Sequence, residues 1–294
     1  MYQLYFKFLN RTFLVETNSL NILNILKLEL WPSKSINYVK KCKIIYVGAN
    51  FSFDKLYDNY VETLGSQYIL GFDKKENCKC LFVNQSSTIQ PIRNFITSIV
   101  SDYNKENTNF LVLHASCVSK NNQGFLLLGK KHSGKTTLSL EMVSNYEYNL
   151  ITDDLSFITM RGKKIFCHSL FKGIHLNDET FDYYQGYFSN IYNKDSNKTR
   201  YYIKKTKQRS LITDIVLSHV VENMFEPYLE KLEIKYEKKI IVDNYVNFSD
   251  ENQTLIEKKI NDLFQKNIKI SNCKFGTNIY NSGVFLNNLI NNKS

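Results

Sequence analysis

The eight residues Gly129-Lys130-Lys131-His132-Ser133-Gly134-Lys135-Thr136 constrain the folding of this chain more than any others. They follow the spacing G-x-x-x-x-G-K-T, which works where a strand turns sharply into a helix and consecutive backbone N–H groups point at one anion. The flanks agree. Phe125-Leu126-Leu127-Leu128 reads as a strand buried on both faces, and residues 136–143, with Leu138 and Met142 four apart, read as a helix. The chain then returns through Tyr146 to Leu150-Ile151-Thr152 and the pair Asp153-Asp154. Strand, loop, helix and strand make a βαβ-like unit, so the expected fold class is α/β.

Gly129 and Gly134 allow the backbone conformations that aim N–H groups at phosphate oxygens, and the following helix adds its positive N-terminal end. Lys135 reaches the β- and γ-phosphates as a point charge, and the Thr136 hydroxyl ligates Mg²⁺. The expected nucleotide-binding set is thus Gly129, Lys130, Lys131, His132, Ser133, Gly134, Lys135, Thr136 and Thr137.

Asp153 and Asp154 end the next strand, where open α/β sheets place their ligands. One carboxylate holds Mg²⁺, with Asp153 assigned alongside Thr136, and the other accepts the proton of an attacking hydroxyl; spacing alone does not separate the two roles. The competing reading is a solvated pair or a helix cap. His114 ends the strand before the phosphate-loop strand, so a β-turn return brings it beside the loop. A lone His after an apolar strand is more often a structural residue.

No apolar stretch approaches the roughly 18 residues needed to cross a bilayer, and the first residues lack a signal peptide's order of charges and apolar run. A cytoplasmic protein with no membrane partner is expected. Six scattered cysteines read as reduced thiols. Cys78-Lys79-Cys80 is the only close pair, and a tetrahedral zinc site needs two more ligands at recognisable spacing, which the sequence does not offer nearby. The formal charge of +10 suits an acidic partner, although Lys, Asn, Ile and Tyr are abundant throughout, so part of it is compositional.

Two domains are expected. Residues 1–88 carry short apolar runs at 2–9, 12–15, 43–47 and 80–83 and read as a β-rich docking or structural unit; residues 89–294 form the nucleotide-binding domain. A helix is expected from 89 to about 100, strands at 110–113, 115–118, 213–221 and 232–236, a helix with a capping-box-like start at Asp250-Glu251-Asn252-Gln253, and a last strand at 268–275. Residues 176–210 resist assignment.

Leu113-His114-Ala115-Ser116, the run from Gly129 to Thr137 and Thr152-Asp153-Asp154 together resemble the catalytic core of the HPr kinase/phosphorylase family and its smaller relatives, such as lasso-peptide kinases, over roughly residues 90–220. The resemblance implies an HPr-kinase/PEP-carboxykinase-like P-loop core. It also implies Mg²⁺ and ATP, or GTP in its place, and transfer of the γ-phosphoryl group to a Ser/Thr hydroxyl of a small protein or peptide, such as a ribosomally made precursor. It brings His114 into the active site beside Asp153 and Asp154. In the relatives a basic segment follows the aspartates; here Lys198, Arg200, Lys204, Lys205, Lys207 and Arg209 fill that place, with Arg200 assigned to steady the transferring group. HPr kinases can form rings, so a homo-oligomer is allowed.

Two departures stand out: His132 occupies a position where the family commonly has glycine, and the Gly-rich signature downstream of the aspartates is missing, which argues against HPr as the substrate. The alternative reading is a non-catalytic ATP-binding regulatory module. Aromatic residues among the basic ones would suit single-stranded nucleic acid, but no recognisable nucleic-acid module accompanies them, so nucleic acid is disfavoured as a partner.

Overall fold

A computed structural model describes the whole chain except residues 10, 34–38, 48–61, 64–67, 85–88, 103–104, 106, 177, 196–197, 248–250, 267 and 292–294. It divides into two units, Met1–Tyr103 and Asn104–Ser294.

In the first unit, strand β1 (Tyr2–Phe8) sends Leu4, Phe6 and Phe8 inward and leaves Gln3 and Lys7 outside, the period-two pattern of a half-buried strand. It pairs antiparallel with β2 (Arg11–Thr17). Helix α1 (Leu20–Glu29) starts at Ser19, whose hydroxyl accepts from the Ile22 N–H, and buries Ile22, Leu23, Ile25 and Leu26. That helix is absent from the sequence-based expectations, although Asn21, Asn24 and Lys27 break its apolar residues at a three-residue spacing. It carries the chain across to β3 (Val39–Val47), which lies parallel to β2. The sheet is completed by β4 (Glu62–Thr63), β5 (Tyr68–Asp73) and β6 (Cys78–Asn84), in the order β1-β2-β3-β6-β5-β4. Helix α2 (Ile89–Asp102) buries Ile92, Phe95, Ile96, Ile99 and Val100, one helical face. It belongs to this first unit, whereas the sequence reading placed it in the nucleotide-binding domain.

The second unit begins with β7 (Phe110–Leu113), β8 (Ala115–Lys120) and β9 (Gln123–Leu128). Helix α3 (Lys135–Asn145) follows the phosphate loop, and β10 (Asn149–Thr152) follows α3. β8 lies between β9 and β10, antiparallel to both. The βαβ unit is therefore real in direction, but its two strands are not neighbours. Next come β11 (Ser156–Arg161), β12 (Lys164–His168), β13 (Gly173–Leu176), α4 (Asp178–Tyr184), β14 (Phe188–Asp195), β15 (Lys198–Ile203) and β16 (Arg209–Val220). The chain ends with β17 (Tyr228–Glu230), α5 (Ile234–Asp243), α6 (Gln253–Phe264), β18 (Lys269–Phe275) and α7 (Ile279–Asn291).

A nine-stranded sheet runs β10-β8-β9-β16-β12-β11-β7, with β18 on β16 and β17 on β18. β9 shows why its sequence carries no polar alternation. Leu126 and Leu128 join a core with Ile241, Ile260 and Leu263 of α5 and α6, while Phe125 and Leu127 join a second core with Leu138, Met142 and Leu286 of α3 and α7. A strand covered on both faces must be apolar throughout.

The segment at 232–236 is not a strand. Leu232, Ile234 and Tyr236 alternate, but Ile234 opens α5 and the chain continues helical to Asp243, burying Ile241. Residues 173–203, largely unassigned from sequence, form a three-stranded sheet β13-β15-β14 with α4 beside it. The two tyrosines of β15 are core residues, whereas Tyr183 and Tyr187 are exposed: Tyr201 is buried and stacks on Phe181 with ring centroids 4.3 Å apart, and Tyr202 is buried as well. The Asn252 side chain caps α6 by accepting from the Leu255 N–H at 2.8 Å.

Candidate active site

The phosphate loop is tied at its Gly129 end by close backbone approach. A side chain at Gly129 would place its Cβ 2.4 Å from both the Ser133 hydroxyl and the Ser218 carbonyl, so only glycine fits. Gly134, at φ +80°, turns the chain into α3 in the left-handed region. Ser133 Oγ lies 3.2 Å from Ser218 Oγ, which donates to the Leu128 carbonyl at 3.0 Å, so the end of β16 buttresses the loop. Nothing in the spacing marks Ser218, because its register against β9 is set by the sheet.

Lys135 is buried and folded onto its own loop, donating to the carbonyls of Gly129 at 2.7 Å and Lys130 at 2.9 Å. Burial holds its pKa below the ordinary lysine value, while Asp153 and Asp154 pull it the other way.

Thr136, the next residue, donates its hydroxyl to Asp153, 3.0 Å to Oδ1 and 3.2 Å to Oδ2. Asp153 is 5% exposed. Burial first, and the charge of Asp154 second, push its carboxyl up to about 7, against the pull of the Thr136 and Ser116 hydroxyls and Lys135. Ser116 donates to the Thr152 carbonyl at 3.2 Å and lies 2.6 Å from Ser139 Oγ, which ties β8, β10 and α3 together beneath the carboxylate.

Asp154 takes a left-handed conformation, φ +68°. Its carbonyl faces His114 Nδ1 at 3.0 Å. A carbonyl only accepts, so Nδ1 carries the proton. The His114 backbone N–H donates in turn to the Asn244 carbonyl at 2.7 Å, and the Val246 N–H donates to Val112 at 2.9 Å. The segment after α5 thus holds the end of β7.

These groups surround a cavity of about 210 Å³. It is lined by the loop residues from Lys131 to Thr137, by His114 and Asp154, and by Leu176 of β13 and Thr180 of α4. The two aspartates differ here. Asp154 lines the cavity, whereas Asp153 lies behind Thr136. His132 also lines it, exposed, at φ +66°, a backbone conformation that glycine adopts without strain. Lys130 is exposed and lies outside the lining, with Gly129 buried beneath.

No family pattern and no curated protein sequence matches this chain. Among solved structures, a distant likeness is found to the structure of the Hpr(Ser) kinase/phosphatase from Coxiella burnetii, with 12% identity over 62% of this chain and 94% of that one, at a TM-score of 0.34.

The donor set fits a magnesium nucleotide. Hydroxyl and carboxylate oxygens from Thr136 and Asp153 are ligands of the type Mg²⁺ takes, and the loop N–H groups with Lys135 suit a polyphosphate. Arg200 is not among the residues that line the cavity. Its backbone sits in β15, opposite His175 and Tyr192, and its side chain lies outside the described residues. Thr180, Ser116 and Ser139 complete the surroundings. Of these, Ser116 alone carried a sequence signal, from its place directly after His114 and Ala115.

Proposed function

We propose that this chain is a Mg-ATP-dependent kinase acting on a Ser/Thr hydroxyl of a small protein or peptide. The observation that carries the reading is the pairing of Thr136 with Asp153 at 3.0 Å behind the phosphate loop, with the second carboxylate, Asp154, lining the cavity in front. When bound, Mg-ATP supplies the transferable phosphoryl group and neutralises its charge.

Each side chain then has a separate task. Thr136 and Asp153 hold the cation. Lys135, now held by two carbonyls, would serve phosphate oxygens, which are better partners for a desolvated ammonium. Asp154 takes the proton from the acceptor hydroxyl, because it is the aspartate that faces the cavity. His114 is a positioning residue: its Nδ1–H bond to the Asp154 carbonyl pins the turn that aims the carboxylate. Leu176 and Thr180, which also line the cavity, would meet the acceptor.

Purified protein with ATP, Mg²⁺ and Ser/Thr-containing peptides should yield a phosphopeptide. Lys135→Ala and Asp154→Asn should each abolish it, with Asp154→Asn still binding nucleotide. Undiminished transfer by both variants would sink the assignment, and nucleotide binding by the wild type without transfer to any acceptor would favour a regulatory module.

A further inference from the structure

The hairpin β5–β6 brings together three side chains that the phosphate site does not use. Cys78 and Cys80 are two apart on β6, so both thiols emerge on one face of the sheet. Asp73 is the antiparallel partner of Cys78, and Gly71 is the partner of Cys80, its missing side chain leaving room for the Phe82 ring, 2.9 Å from where a Cβ would stand. All three of Asp73, Cys78 and Cys80 are buried, and one ligand atom from each lies within 4.8 Å of the other two. The sequence hides the set because its carboxylate comes from the neighbouring strand.

We propose that Asp73, Cys78 and Cys80 form a zinc site within the first unit, independent of the kinase reading. Bonds of about 2.3 Å to sulfur and about 2.0 Å to oxygen place tetrahedral ligand atoms roughly 3.5–3.8 Å apart, so the cluster needs to contract by only about 1 Å. Two thiolates with one carboxylate select Zn²⁺ over Mg²⁺ or Ca²⁺, and binding releases the two thiol protons to solvent.

Lys43 is the competing cation. It stands across from Cys80 on β3, and its ammonium donates to Asp73 Oδ2 at 2.8 Å. The metal displaces it from the carboxylate. Glu76, exposed in the turn before β6 and outside the cluster as it stands, would close the fourth position by turning inward: its N–H donates to Asp73 Oδ1 at 3.1 Å, and its carboxylate lies 3.9 Å from the Lys43 ammonium. Lys41, which pairs with Glu76 at 2.7 Å and with Glu16 at 3.1 Å, keeps Glu16 as a partner when Glu76 turns inward.

The test is a Co²⁺ titration of the reduced full-length chain, followed by its thiolate charge-transfer absorption and by displacement with Zn²⁺. One equivalent of Co²⁺ should saturate the band. Cys78→Ser and Cys80→Ser should each remove it, and Lys43→Met should bind at least about tenfold more tightly, since it removes a like charge beside the ion. Lys43→Met should also be less stable without metal and regain stability with Zn²⁺. No band in the wild type would overturn the site, whatever the variants do. A band unchanged when both cysteines are replaced, or affinity unchanged by Lys43→Met, would overturn it equally, leaving Lys43–Asp73 as an ordinary ion pair.

Discussion

The hydroxyl of Thr136 reaches both oxygens of Asp153, so the first residues of α3 and the end of β10 meet through one side-chain pair. In the proposed mechanism that pair holds the cation through Asp153 and leaves Asp154 for the acceptor. Thr136→Ala should therefore raise the Mg²⁺ concentration needed for half-maximal transfer and reduce the rate at saturation, by an amount on the order of the 10²-fold that loss of one preorganised charge-stabilising group produces. An Mg²⁺ dependence identical to wild type would count against the assignment.

His132 sits at φ +66°, where a residue with a Cβ is strained by roughly 1–2 kcal/mol. His132→Gly should be at least as stable as the wild type in chemical denaturation, because relief of strain offsets the added freedom of the unfolded chain. His132→Val, stiff and β-branched, should be less stable than either. The measurement is the denaturation midpoint of the three proteins side by side.

Helices α3 and α7 touch where Gly283 faces Glu141. A Cβ at Gly283 would lie 2.6 Å from Glu141 Cγ and 3.1 Å from the Tyr146 ring. Glu141 cannot simply turn away: it is buried, accepting from the Tyr184 hydroxyl at 2.9 Å and the Asn145 amide at 2.7 Å. Gly283→Ala should lower stability by about 1–3 kcal/mol, as overpacking does. Tyr184→Phe should lose a similar amount by leaving a buried carboxylate one donor short.

His168 is held neutral. Burial first, then Arg209 and Arg161, lower its pKa to about 3, and its Nε2 lies 2.8 Å from the Thr159 hydroxyl. The unfolded chain takes up a proton near the ordinary imidazole value of about 6.5, so the fold keeps this contribution above that pH and loses it as pH falls toward 3. The slope is at most roughly 1.4 kcal/mol per pH unit. Between about pH 7 and pH 5, His168→Gln should lose stability less steeply than the wild type. Equal slopes in the two proteins would refute the account.

The core of the site could be read from the chain because its parts are local. Gly129, Gly134, Lys135 and Thr136 act through backbone geometry and the strand and helix beside them, which the apolar run 125–128 and the spacing of Leu138 and Met142 announce. Residues contributed across the sheet carry no such mark. Ser218 meets Ser133 through the register of β16 on β9, and Thr180 reaches the cavity on a short helix between strands of a separate small sheet. Residues 173–203 defeated periodicity for a physical reason: Tyr201 and Tyr202 are polar enough to suggest a surface, yet both are buried. The segment at 232–236 misled in the other direction, since Leu232, Ile234 and Tyr236 alternate by chance at the entrance to a helix.

The Asn244 carbonyl that holds the His114 N–H sets a timetable for synthesis. When the phosphate loop, both aspartates and His114 have all left the ribosome, the end of β7 still lacks the segment Asn244–Val246 that fixes it. Domains tend to fold as units, and the loop leans on Ser218 while β9 packs on Ile241, Ile260 and Leu263, so loop and histidine settle together once those later residues have emerged. A fragment ending before Asn244 would carry every residue of the loop while lacking both the carbonyl that fixes His114 and the α6 side chains that cover β9.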